Sequence, residues 1–439
     1  MNIAKNCFVT VLVFLGICFL GFHAHADEAK SRLPRLTMPK IHGFTEGLYG
    51  PRFGSSDVKH RQFTAAEARV QLKTNYYFED ESILTDWQTS LNAKCDLYVD
   101  MYFGGKVITD LRELNAAFTP AEIVDVKAGR QTLTWGTGDY LFLNDLFPKD
   151  YVSFFIGRDD EYLKEPSDAL RVTAFPEIAN FDFVWIPFFE PNTVADGDRI
   201  SYFDTFRGAI TGRQGERHFV EPSKTAKNFV YAGRIYRNFV SYEAAFYYYR
   251  GFDPSPRSYK NEAGRQLYYE RMDSYGGSLR GPFLGGIANV EMAYHYSPED
   301  RDGKIRTIQN SMMKYLAGYE KDMGNDLRIG FQYYLEQTLD YGNYKSALLP
   351  ADYRWDQFRH LITNRITKMF ANQTVKVTVF TFFSPSDLDV YVRPVLSWDA
   401  TDSWNLSVGA NLIWGRDSWT EFTSLEKNKN VYVRLRYSF

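Results

Sequence analysis

The charged side chains of segment 128–151 are the first candidates for chemistry in this sequence. Arg130, Asp139, Asp145 and Lys149 stand there among leucine and phenylalanine residues. An apolar loop with such charges is a candidate for narrowing a passage, where charged side chains act on a solute through their electric field and form no covalent bond. The segment therefore predicts electrostatic rather than covalent chemistry.

Covalent and metal chemistry have no comparable signal. The sequence contains no Gly-x-Ser-x-Gly, no His-Glu-x-x-His, no phosphate-binding loop and no Cys/His cluster with metal-ligand spacing. The histidines after residue 26 are scattered singly. We therefore expect no catalytic residues, no metal, no cofactor and no enzyme activity.

Strictly alternating segments must position the remaining charges. From Trp87 to Phe103, apolar residues occupy every second position, and the opposite face carries Lys94, Asp96 and Asp100. Arg69 lies on the polar face of a similar segment. A period of two is typical of a β-strand, and three charges cannot be packed unpaired into a dry core. The pattern predicts a sheet with one charged face that contacts water and one apolar face.

Such segments recur along the whole chain and predict an all-β fold. We count about 18 strands, with 16 possible because one hairpin is easily miscounted. They lie at 40–50, 63–79, 85–104, 107–118, 122–135, 167–175, 178–189, 225–238, 239–252, 271–281, 284–297, 309–321, 325–338, 359–371, 373–383, 387–399, 402–415 and 430–439. Short connections alternate with long ones. This favours a closed antiparallel transmembrane β-barrel with short periplasmic turns and long extracellular loops.

The last nine residues, 431–439, give the clearest single strand. One face is apolar, the other carries Arg434 and Arg436, and the chain stops at Phe439. This strand resembles the final strand of bacterial outer-membrane β-barrels. The resemblance implies that Phe439 is part of the signal for the barrel-assembly machinery, and that outer-membrane lipid surrounds the barrel.

A second resemblance lies at Gly129-Arg130-Gln131, Trp135-Gly136, Asn144-Asp145 and Pro148. This run is similar to a stretch in porin-like barrel families, including alginate-export-type barrels and uncharacterised porin-like barrels. It covers a small part of the chain. The resemblance implies passage of solutes or polymers through the barrel and leaves the substrate open.

The N-terminus and the composition agree with export. Lys5, the apolar run from Phe8 to Phe22 and Ala24-His25-Ala26 are typical of a signal peptide, so we assign residues 1–26 to it and 27–439 to one barrel domain. Aromatic residues make up 17% of the chain although its mean hydropathy is only −0.38. Half-polar strands bordered by aromatic girdles explain both values. A net charge of −3 does not favour a nucleic-acid partner.

Two functions remain open at this point. The first is an outer-membrane channel for passive or substrate-preferring passage of small solutes or an exported polymer. Its pore-lining candidates are Arg69, Lys94, Asp96, Asp100, Arg130, Asp139, Asp145 and Lys149. The long loop 136–166 then either folds inward and narrows the pore or packs over the barrel mouth. The second function is a barrel that acts through its outer loops as an adhesin or assembly partner. The sequence leaves the oligomeric state open.

Overall fold

The computed structural model describes residues 40–53, 57–78, 83–215, 217–261 and 266–439, so the expected signal peptide lies outside the described residues. Eighteen strands form one antiparallel sheet, and we number them β1 to β18. They are β1 Ile41–Pro51, β2 Phe63–Tyr77, β3 Ser90–Asp100, β4 Lys106–Ala121, β5 Val124–Thr132, β6 Pro166–Ala174, β7 Asn180–Ile186, β8 Val230–Phe239, β9 Tyr242–Phe252, β10 Arg271–Phe283, β11 Gly286–Tyr296, β12 Met312–Asp322, β13 Leu327–Thr338, β14 Phe358–Phe370, β15 Val375–Ser384, β16 Asp389–Asp399, β17 Trp404–Gly415 and β18 Asn430–Ser438.

The sheet is closed into a barrel, as predicted. Each strand pairs with its neighbours in sequence, and β1 pairs with β18. At this seam the backbone N–H groups of Gly43 and Phe439 each donate to the other residue's carbonyl oxygen at 3.0 Å. The C-terminal residue thus takes part in closing the ring. Its role in assembly stays a prediction.

Most connections alternate in length as the sequence predicted; the exceptions are 78–89, which is longer than its counterparts, and 101–105 and 385–388, which are shorter. The turns at 122–123, 240–241 and 284–285 lie at the end of the barrel where β1 begins and β18 ends. The long connections, such as 133–165 and 187–229, lie at the opposite end. Because the number of strands is even, the start of β1 and the end of β18 lie at the same end of the barrel.

The two faces of the wall differ as the alternation requires. The outward face exposes apolar and aromatic side chains: Val70, Leu97, Phe183, Ile235, Phe246, Val290, Phe331 and Leu435, with Trp404 and Trp414 near the two ends of β17. The inward face carries the polar side chains. In β2, for example, Glu67, Arg69 and Gln71 are buried.

Predicted and observed strand bounds differ most at β3, which covers 90–100 rather than 85–104. A short α-helix, α1 (Ile83–Asp86), precedes it and a 3-10 turn, Met101–Phe103, follows it. The turn forms because the Asp100 carboxylate accepts the Tyr102 N–H at 2.8 Å. Gly104 and Gly105 then adopt φ values of 74° and 73°, which favour glycine.

The long connections contain small elements of their own. The helix α2 (Tyr151–Ile156) lies between β5 and β6, and α3 (Tyr341–Ala347) lies between β13 and β14. Short strands at 202–204 and 209–211 pair with each other, and those at 218–220, 258–261 and 266–268 form a three-stranded sheet. Among the described residues, no helix combines the length and apolar character that a membrane span requires.

Candidate functional site

The connection between β5 and β6, residues 133–165, packs against the inward face of the barrel wall. We call it the inner loop. Tyr140 packs on Phe380 with ring centroids 4.8 Å apart, and Phe154 lies 5.9 Å from Tyr391. The carbonyl oxygen of Phe155 accepts from the side-chain amides of Asn411 and Asn430 at 3.0 and 2.8 Å. These partners lie on the inward face of β15 to β18, so the inner loop lies in the barrel interior.

The helix α2 gives the inner loop its shape. The Asp150 carboxylate accepts from the backbone N–H of Ser153 at 2.8 Å and caps the helix start. Gly157 ends the helix at φ 86°. A Cβ atom at Gly157 would stand 2.2 Å from the Tyr432 ring of β18. Only glycine therefore allows both the left-handed backbone and this close approach to the wall.

Apolar packing fixes the inner loop on two sides of the interior. One cluster joins Leu143, Phe154, Ile156 and Leu163 of the loop to wall residues Leu48, Leu316, Tyr334, Leu361, Phe380, Phe382, Tyr391, Ile413 and Tyr432. The other joins Leu133, Leu146 and Phe147 to Ala169, Val184, Ile186, Val230, Ala232, Tyr249 and Met272. The two clusters involve strands on opposite parts of the circumference, so the loop extends across the interior.

An acidic edge of the inner loop faces a basic part of the wall. Asp159 accepts from Arg434 at 2.8 Å, and Glu161 accepts from Lys94 at 2.7 Å. Asp160 lies 3.1 Å from Arg393. Burial alone would raise the pKa of Asp159, but Arg434 and the neighbouring Arg436 lower it below its ordinary value. These ion pairs hold the inner loop in addition to the apolar packing of the two clusters.

The tip of the inner loop, residues 137–144, makes a separate set of polar contacts. Glu291 of β11 accepts from the backbone N–H and hydroxyl of Thr137 at 2.6 and 2.8 Å. It also accepts from the Asn144 amide at 2.9 Å. Arg365 of β14 donates to Asp139 at 2.6 Å. Burial raises the pKa of Asp139 to about 6, although Arg365 opposes the shift.

A cavity of about 280 Å³ lies between this tip and the wall of β10 to β15. Its lining includes Asp139 and Arg365, together with Asn289, Glu320 and Gln332. These side chains come from four neighbouring strands and from the loop tip. The arrangement brings both signs of charge and several amide groups to one small water-accessible space.

A buried ionic cluster anchors two loops at β2 and β3. Their register places Glu67 opposite Asp100, and like charges in that position are unfavourable without cations. Arg158 of the inner loop donates to Glu67 at 2.6 Å, and Arg199 of loop 187–229 donates at 3.2 Å and also contacts Asp100. Arg69 donates to Glu67 at 3.3 Å. Arg158 and Arg199 thus hold the two loops on this part of the wall, where Arg69 of β2 adds a third cation.

The structure brings some of the sequence candidates together and separates others. Arg69 pairs with Asp96 at 2.6 Å, and Asp100 belongs to the same cluster. Asp145 and Lys149 pair with each other at 2.9 Å, and each side chain is only 2% exposed. Asp139 lies instead at the cavity.

Two further candidates lie at other parts of the wall. Lys94 lies at the acidic edge of the inner loop. Arg130 pairs with Asp168 and Glu190 at 3.3 and 3.0 Å. The eight candidates therefore do not form one ring.

Sequence reasoning missed several residues of the site. Arg158, Arg199 and Arg365 were not singled out, and neither were the acids 159–161. The sequence gives one local signal for these residues. Gly157 favours a turn, and Arg158 with the acidic residues 159–161 after it predicts that this turn has a charged edge. The wall partner of each charge depends on a fold across the interior, which no local pattern specifies.

Ion selectivity is expected to depend on pH through Asp139. As the pH falls through about 6, protonation of Asp139 removes a negative charge and leaves Arg365 uncompensated. We expect the preference for cations over anions to decrease over this range. Reversal potentials in a salt gradient, recorded above and below pH 6, measure it. Asp139→Asn is expected to abolish this step.

The matched control for this titration is Asp302→Asn. Asp302 pairs with Lys304 in an outer loop, with side chains 69% and 65% exposed, so the pH-dependent step should persist in this variant. An identical titration in the wild type and in Asp139→Asn would contradict the assignment to Asp139.

The closed 18-strand barrel with a loop in its interior has the fold of outer-membrane porins. Among solved structures, Acinetobacter baumannii OccAB3 has a TM-score of 0.54 and 8% identity, over 91% of this chain and 99% of that one. Pseudomonas aeruginosa OpdL has a TM-score of 0.51 and 10% identity, over 91% and 98%. No family model and no curated protein matches the chain. At such identities the likeness concerns the fold alone.

Proposed function

We propose that this chain forms a substrate-preferring channel for passive passage of small polar solutes across the outer membrane. One observation carries the proposal: the inner loop crosses the barrel interior and leaves a polar cavity between its tip and the wall. Barrels of 16 to 18 strands are wide enough to leave an aqueous channel. A loop held across such a channel narrows it and selects what passes.

Several features support the outer membrane as the location. Apolar and aromatic side chains are exposed on the outward face of the wall, where only lipid would remove them from water. Phe439 lies at the seam where β18 pairs with β1, and residues 1–26 have the pattern of a signal peptide. We therefore include outer-membrane lipid and the barrel-assembly machinery among the partners.

The site residues divide into three proposed roles. Asp139, with Arg365, lines the solute path at the loop tip, because both contact the cavity. Arg69, Asp96, Asp100, Asp145 and Lys149 hold the loops in position, since each is buried and paired. Lys94 and Arg130 are partly exposed and contribute charge at the rim of the path.

The alternative of a barrel that acts only through its outer loops is not favoured. Such a barrel has no need for a polar cavity below an interior loop. Passage of an exported polymer stays an alternative; the cavity of about 280 Å³ is close in size to a small-molecule site, which favours a small solute at this place. Transport rather than enzyme chemistry is the proposed activity.

Planar-bilayer recording with refolded residues 27–439 tests the channel directly. We expect discrete current steps in salt solution, and proteoliposomes that swell in small polar solutes but not in polymers. Protein denatured before reconstitution is the control. Folded protein that inserts into bilayers without any current would overturn the proposal.

A further inference from the structure

The cavity below the inner-loop tip retains hydrogen-bonding groups that the protein itself does not use. Gln332 accepts from the Asp139 N–H and the Thr363 hydroxyl through Oε1, and within the described residues its Nε2 group has no acceptor. Asn289 donates to Thr137 through Nδ2, which leaves its Oδ1 as an acceptor. Donors and acceptors are therefore both available to a solute.

The charges around the cavity balance. Arg280 and Arg365 face Glu320 and Asp139 among its lining residues. Arg365 is paired with Asp139 at 2.6 Å, and Glu320 lies 3.7 Å from Arg328. Because the lining carries two cations and two anions, its net charge is zero. A solute of either net charge gains little from it.

One part of the cavity wall is apolar or open. Ile287, whose position on β11 points inward, is 43% exposed and lines the cavity. At Gly330 the atoms nearest to an added Cβ atom belong to Glu320 and Arg365, at 3.7 to 3.8 Å. Those are ordinary contacts, so the absence of a side chain at Gly330 leaves room where a solute could lie.

We propose that this cavity is a transit subsite for an uncharged polyhydroxylated solute of monosaccharide size. A hydroxyl group both donates and accepts hydrogen bonds, so a sugar uses the free donor of Gln332 and the free acceptor of Asn289. Its carbon-bound hydrogens suit the apolar surface of Ile287. The inference rests on the proposed channel function and adds the class of solute.

The test is interruption of single-channel ion current by D-glucose. We expect reversible interruptions whose frequency rises with glucose concentration, and none from acetate or ethylammonium, which each carry a net charge, at equal concentration. Gly330→Leu, which fills the open space, is expected to weaken glucose interruption roughly tenfold. Gly330→Ala, with a smaller side chain, should give an intermediate effect.

Gly47→Leu is the matched control, because it adds the same side chain on the outward face of β1, where an added Cβ meets nothing within 4 Å. It should retain glucose interruption. Ion current that acetate or ethylammonium interrupts and glucose does not would overturn the sugar assignment while the channel function stands. If glucose interrupts the current through Gly330→Leu as often as the current through the wild type, the subsite does not lie in this cavity. A folded protein without ion current would instead overturn the channel function itself.

Discussion

Deletion of residues 139–150 is expected to raise single-channel conductance several-fold and to reduce discrimination between solutes. The deletion removes the loop tip at the cavity, with Asp139 and Tyr140, and the apolar anchors Leu143, Leu146 and Phe147. Without them, the interior of an 18-strand barrel is expected to hold a wider aqueous channel. Bilayer recordings of the deletion protein beside the wild type measure the change.

A deletion outside the interior controls for loop removal in general. Residues 342–347 of α3 lie in an outer loop, and none of the described residues of this helix is buried. Their deletion should leave conductance unchanged. If deletion of 139–150 also leaves conductance unchanged in a folded barrel, the inner loop does not constrict the path.

Glu67→Ala is expected to cause the largest loss of stability from a single substitution. Glu67 is 7% exposed and accepts from Arg69, Arg158 and Arg199. Its removal leaves buried guanidinium groups with fewer counter-charges, and breaking a buried pair in this way costs about 3–5 kcal/mol. We expect the free energy of unfolding in lipid or detergent, measured by tryptophan fluorescence in urea, to fall by that amount. The free energy of unfolding of Glu67→Gln should lie between those of the wild type and of Glu67→Ala.

An exposed ion pair provides the comparison. Asp302→Ala removes the partner of Lys304, and both side chains are mostly in water, so the change should be at most about 1 kcal/mol. Equal losses in the two variants would mean that the Glu67 cluster is not a structural anchor.

The barrel could be predicted from sequence because a local rule produces it. Alternation with a period of two marks each strand, as in 402–415, and a register slip would turn charges such as Lys94 toward the apolar side. An even number of strands then places the start of the first strand and the end of the last strand at one end, and the alternating connection lengths favour a closed barrel. The bounds failed at β3, where the Asp100 side chain and two glycines start a turn earlier than the apolar pattern ends.

The interior could be predicted only in part. An apolar and charged loop 136–166 was recognisable, but the sequence left both inward folding and packing over the mouth open. The contacts that place it pair residues far apart in the chain, such as Asp139 with Arg365 and Asp159 with Arg434. Asp145 and Lys149 look like pore charges in sequence, yet they pair four residues apart within the loop and are buried.

Thiol modification at Gly330 tests most directly whether solutes pass between the loop tip and the wall. Cys95 is the only cysteine after residue 26, so Gly330→Cys is placed in a Cys95→Ser background, with Gly47→Cys as the outward-facing control. We expect a small cationic thiosulfonate to reduce the current through Gly330→Cys in steps that a reductant reverses, and to leave Gly47→Cys unaffected. Full labelling of Gly330→Cys, shown by mass spectrometry, with undiminished current would contradict a path through this cavity.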